Sequence, residues 1–216
     1  MRQRGWMFLV MAAMFLSLGA NSALAAGGTG GISLSAGFTP IGGGDAGRWF
    51  GWFDGPTYDD VYDTGWTGRI EPFYDFHPMV RGQVGIAYNK WGGKTFDGVR
   101  FEDLKVTTYY VGVKVRFLPN SNIRPYAVAD IGAARISSVS VTGLHGPGVQ
   151  SQYWDSTTTG FVDIGGGVEF IVAPNVSFFV DLRAQGTGEP NSADPPDSEA
   201  DGIGSVPFSA GVNFTF

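Results

Sequence analysis

Tyr109-Tyr110-Val111-Gly112-Val113-Lys114-Val115-Arg116-Phe117 is the stretch that decides how this chain is read. Tyr109, Val111, Val113, Val115 and Phe117 occupy the odd positions, and Tyr110, Gly112, Lys114 and Arg116 the even ones. Successive side chains of a strand point to opposite faces, so this alternation predicts a strand with one apolar and one polar side. A helix would need apolar residues three and four apart, and they are not spaced that way.

The same period extends outward in both directions. Strands are predicted over Gly31–Thr39, Trp66–Phe76, Met79–Trp91, a fourth ending near Phe117, then Arg124–Arg135, Gly160–Val172, Val176–Gln185 and Val206–Phe216. Glycine, with 34 residues, and proline punctuate the gaps between them. Those gaps alternate in length. Short turns at His77-Pro78, Leu118 to Asn122 and Ala173 to Asn175 separate long loops near residues 40–65, 92–103, 136–158 and 186–204. Strands of roughly ten residues, with tight turns at one end and long loops at the other, are the pattern of a membrane barrel. The predicted fold is all-β: an eight-stranded antiparallel up-and-down transmembrane β-barrel with short periplasmic turns and long external loops.

Alternation alone does not say which face looks inward, since a soluble barrel turns its apolar face to the core. The aromatics and the leader argue for lipid on the apolar side. Trp49, Trp52, Trp66, Trp91 and Trp154 fall in the long loops or at strand ends joining them, while Phe76, Phe117, Phe170, Phe178 and Phe216 lie toward the short turns. Two girdles of this kind mark membrane interfaces, so these tryptophans are read as interfacial anchors. At the start, Arg2 and Arg4 precede an apolar run from Trp6 to Leu18 and then Ala23-Leu24-Ala25, a small-x-small cleavage pattern. Residues 1–25 are therefore read as a signal peptide and 26–216 as one barrel domain, exported to a bacterial outer membrane. Without Arg2 and Arg4, 12 basic residues stand against 20 acidic ones, a net charge of −8 that argues against nucleic acid as a partner. The absence of cysteine excludes disulfides, thiolate metal sites and a lipidated cysteine.

The chain closes on Gly211-Val212-Asn213-Phe214-Thr215-Phe216. With Arg124-Pro125-Tyr126-Ala127-Val128-Ala129-Asp130-Ile131-Gly132 and Gly165-Gly166-Gly167-Val168-Glu169-Phe170, this resembles the small eight-stranded outer-membrane proteins that include the OmpA transmembrane domain, OmpX and OmpW. The resemblance spans the whole mature chain and, for OmpA, its membrane half. It implies that Gly211, Val212, Phe214 and Phe216 form the signal read by the barrel-assembly machinery, and that the partners in place are outer-membrane lipid and lipopolysaccharide. A glycine is usual in the family where Asp130 stands, and an acid there implies a more polar lumen.

With lipid outside, the polar face brings Arg69, Glu71, Asp75, Arg81, Lys114, Arg116, Asp130, Asp163, Glu169, Asp181 and Arg183 into a narrow interior. An eight-stranded barrel is just wide enough to be filled by side chains, so these charges must pair or meet trapped water. The expectation is a plugged lumen of ion pairs and a non-enzymatic role, structural or in surface interaction. The alternative is a narrow channel for small or hydrophobic solutes, as a likeness to OmpW implies. Lumen-face glycines either leave space or relieve crowding.

Other chemistry finds little support. Gly42-Gly43-Gly44-Asp45-Ala46-Gly47 spells a nucleotide loop without the strand-to-helix context it needs. Asp197-x-Glu199-x-Asp201-Gly202 imitates the start of a calcium loop but has Phe208 where a bidentate carboxylate is required. A lipid A-modifying enzyme, the third reading, needs a histidine within reach of a hydroxyl nucleophile. The candidates are His77, in a short turn beside Pro78, and His145, with Ser151 or Ser156 downstream. No cofactor and no metal site is expected, and any surface ligand is unnamed.

Overall fold

The computed structural model describes residues 28–42, 44–49, 53–54, 56–193 and 200–216. The signal-peptide reading, Trp52, Asp194, Asp197 and Glu199 lie outside the described residues, and of Trp49 only the backbone is described.

Eight long strands make the barrel: β1 (Thr29–Thr39), β2 (Gly65–His77), β3 (Val80–Trp91), β4 (Leu104–Arg116), β5 (Ile123–Ile136), β6 (Thr157–Ala173), β7 (Val176–Thr187) and β8 (Phe208–Thr215). Each pairs antiparallel with its sequence neighbours. β1 pairs with β8 from Gly31↔Thr215 to Phe38↔Phe208, and this closes the sheet. Closure removes both edges and gives every strand two neighbours for its backbone groups, which is what lipid demands. Bulges at Asp75/His77 and Ile171/Ala173 tighten two of the short-turn ends.

Parity decides the faces. Leu34, Ile70, Ile86, Val111, Val113, Ile131, Val162, Ile164, Val180 and Leu182 are exposed on the outer surface, and the charged residues of the same strands point inward. An Arg or Lys on the lipid face near mid-membrane costs about 2–4 kcal/mol, so the arrangement is unambiguous in sign. Among the described residues no helix is long and apolar enough to cross a membrane.

The long connections are structured, which their irregular composition did not announce. Thr95–Phe96, Val99–Phe101, Val139–Thr142, Gln150–Asp155 and Asn191–Ser192 form a second, five-stranded sheet beyond the barrel rim. A single-turn helix, α1 (Tyr58–Val61), starts at Thr57 with a capping box, the Asp60 carboxylate accepting from the Thr57 backbone N–H at 3.1 Å. Between this layer and the upper barrel lies an apolar core of Tyr58, Val61, Tyr62, Trp91, Phe101, Leu104, Ile136, Val141, Tyr153 and Trp154.

Two expectations are corrected here. Trp91 and Trp154, read as interfacial anchors, are 1% and 0% exposed and sit inside this cap. The Trp91 indole N–H donates to the Thr39 carbonyl at 2.7 Å, and the Trp154 ring lies 5.8 Å from that of Tyr58 and 5.4 Å from that of Tyr153. Loops long enough to fold back on one another bury large rings against each other, and the Trp91 N–H keeps a partner there. Trp66, by contrast, is 50% exposed on the outer wall, 5.3 Å from the ring of Tyr88.

Candidate functional site

The interior is built in layers. At mid-barrel the chain places Arg183 on β7 with four carboxylates around one guanidinium. Nη2 donates to Glu71 at 3.2 Å, Nη1 to Asp130 at 2.8 Å and Asp163 at 3.4 Å, and Nε to Asp181 at 2.9 Å. These acids come from β2, β5, β6 and β7, so one side chain ties distant parts of the wall together. Neutral donors complete the set: Gln83 to Asp130 at 2.8 Å, Tyr110 to Glu71 at 2.9 Å, Gln185 to Asp163 at 3.0 Å and Ser209 to Asp181 at 2.6 Å. A carboxylate out of water is tolerable only when paired and hydrogen-bonded, and this layer meets both conditions for most of its oxygens.

Lys114 stands apart from the ion pairs. Its ammonium lies 4.3 Å from the ring centroid of Tyr126 and 5.1 Å from that of Phe179, a cation–π arrangement in a dry setting. Glycines make room for these rings. A Cβ on Gly85 would come within 2.5 Å of the Tyr110 ring, and one on Gly167 within 2.7 Å of the Tyr126 ring. At these two positions the lumen-face glycines serve aromatic packing.

Toward the short turns a second layer forms. Arg81 grips Asp75 with Nε at 2.7 Å and Nη2 at 3.1 Å; Arg116 reaches Asp75 at 3.1 Å and Glu169 at 2.9 Å. Glu169 also accepts from Asn213 at 2.8 Å and Ser177 at 2.5 Å. Arg69, buried on β2, is the exception: among the described residues none of its three nitrogens has a hydrogen-bond partner, and Oε2 of nearby Glu71 has none either.

All eleven charged residues singled out from the sequence thus lie on the inner wall, and ten of them fall into the two layers or beside the rings. Strand parity could also have flagged Gln83, Ser177, Gln185, Ser209 and Asn213, which share the polar face and supply the neutral hydrogen bonds. Gly211, Val212 and Phe214 lie on β8, and Phe216 follows it with its N–H donating to the Gly30 carbonyl at 2.9 Å. Phe76, Phe117, Phe170, Phe178 and Phe216 are exposed on the outside of the wall. In the external layer the acids make local contacts: Asp201 accepts from the Asp45 N–H at 3.1 Å, and Asp63 pairs with Lys94 at 3.5 Å. His77 Nδ1 accepts from the Met79 N–H at 3.2 Å, which places it in the turn.

A closed antiparallel barrel with an apolar exterior and a charged interior is an outer-membrane β-barrel protein. The chain belongs to the outer membrane protein β-barrel domain family, whose model matches residues 8–216. Among solved structures it is similar to neisserial surface protein A, at 19% identity and a TM-score of 0.54, covering 88% of this chain and 97% of that one. It is also similar to a major outer membrane protein from Thermus thermophilus, at 13% identity and a TM-score of 0.53, covering 87% and 99%. Both likenesses are of fold. No curated protein matches the chain in sequence.

Proposed function

We propose that this is a non-enzymatic outer-membrane barrel with a structural or surface-interaction role, its lumen plugged by ion pairs below and by the aromatic cap above. The observation that carries the reading is the reach of Arg183 to carboxylates on four strands, beneath an apolar core that closes the external mouth. Lipid and lipopolysaccharide surround the outer belt, and Gly211, Val212, Phe214 and Phe216 present the assembly signal. The folded external layer then offers a rigid surface for a ligand. Single-channel recording on the refolded protein in a planar bilayer tests this. Silent insertion supports it, and discrete openings in the unaltered protein overturn it.

One observation favours a narrow, gated pathway instead. Arg69 and Glu71 Oε2 are both unpartnered within the same region of the bore, so an exchange of partners there would rearrange the plug. In that case Arg69→Met would change the frequency or size of openings.

A further inference from the structure

At the short-turn mouth of the barrel the second ion-pair layer borders a polar cavity of about 190 Å³. Arg81, Arg116 and Arg124 line it, with Asp75, Glu169 and Ser177. Three cations against two carboxylates leave the mouth positive, whereas the Arg183 layer above has acids in excess. At about 30 Å³ per water in the liquid, the space holds roughly six waters, or one small oxyanion with some of its hydration.

The arginines are held in place before any ligand arrives. Arg81 Cζ lies 3.3 Å from the ring centroid of Phe73, and its Nε and Nη2 are committed to Asp75, so the fork cannot turn. Its remaining nitrogen, Nη1, has no hydrogen-bond partner among the described residues, although the residue is 2% exposed. Arg116 is clamped between Asp75 and Glu169. Arg124 is half-buried, faces Glu169 across the β5–β6 ladder and donates through Nε to the Ser121 carbonyl at 2.9 Å. Thr29 and Thr215 also line the cavity, while the Ser177 hydroxyl is committed to Glu169.

We propose that this cavity is a binding site for a small oxyanion, the phosphate or carboxylate group of a periplasmic solute, held by Arg124 with Arg116. Guanidinium forks match both groups geometrically, and charge-assisted hydrogen bonds in a partly desolvated mouth are stronger than neutral ones. None of the Arg183 layer's residues lines the cavity, so binding here requires no open lumen.

The test is isothermal titration of the refolded protein in detergent with inorganic phosphate and, separately, with acetate. Saturable one-site binding of at least one probe is expected, and the stronger probe identifies the source as phosphate or carboxylate. Arg124→Gln, which lies outside the Asp75 clasp and leaves the barrel intact by its heat-modified gel mobility, should weaken binding about tenfold. Arg116→Lys should weaken it as well, because a lysine keeps the charge but not the fork. Absence of saturable binding to both probes, or binding unchanged in Arg124→Gln, overturns the proposal even if Arg116→Lys does not fold.

Discussion

Arg183 Nη2 meets Glu71 Oε1 at 3.2 Å across 112 residues of chain, joining β7 to β2, two strands that share no ladder. This contact ties opposite parts of the wall through the interior, independently of the backbone hydrogen bonds that close it. Replacing Arg183 with Met would leave Glu71, Asp130, Asp163 and Asp181 without their shared cation. Removing one partner of a buried ion pair costs about 3–5 kcal/mol, so the urea midpoint of the refolded barrel should fall by that equivalent. An unchanged midpoint would show that water already carries these carboxylates.

Trp154→Ala should loosen the external layer rather than the barrel. Truncating a buried tryptophan costs about 3–5 kcal/mol, and Trp154 packs on Tyr58, Tyr62 and Tyr153. Limited proteolysis should cut the loops of the variant much faster while the heat-modified gel shift of the barrel persists. Equal protease resistance would return Trp154 to an interfacial role.

Ile164 lies near the middle of β6 and is 67% exposed on the outer wall. Ile164→Lys should destabilise the folded protein in lipid vesicles by about 2–4 kcal/mol, the range for a cation on the lipid face at mid-membrane. An exposed position on a water-facing wall would accept lysine at almost no cost, so the stability difference between variant and parent in vesicles separates the two.

The Asp60 carboxyl should titrate below its ordinary value of 3.8, because the Thr57 hydroxyl and backbone N–H both donate to it. Since its folded value is the lower one, its contribution to α1 is present at neutral pH and lost as pH falls through that depressed value. A carbon-detected NMR titration of the side chain gives the value directly, and Asp60→Asn should remove the pH dependence of the Thr57 amide shift.

The sequence by itself determined the barrel and the facing of its residues. In a strand each step along the chain flips the side chain to the other face, so the alternation in Tyr109–Phe117 already assigns Lys114 and Arg116 to the interior and Val111 and Val113 to lipid. The alternation of short and long gaps likewise orders the strands as neighbours. Partner choice was decided only by the tertiary structure. Parity says that Arg69 and Arg183 both point inward, but the stagger between strands sets height in the bore. That stagger places Arg183 among four acids and leaves Arg69 with none within hydrogen-bond reach. The same holds for Trp91 and Trp154, whose positions at strand ends and in loops are compatible with a membrane interface or with a core. Contacts among four loops distant in sequence made them core, because folding those loops together buries more ring surface than an interface would.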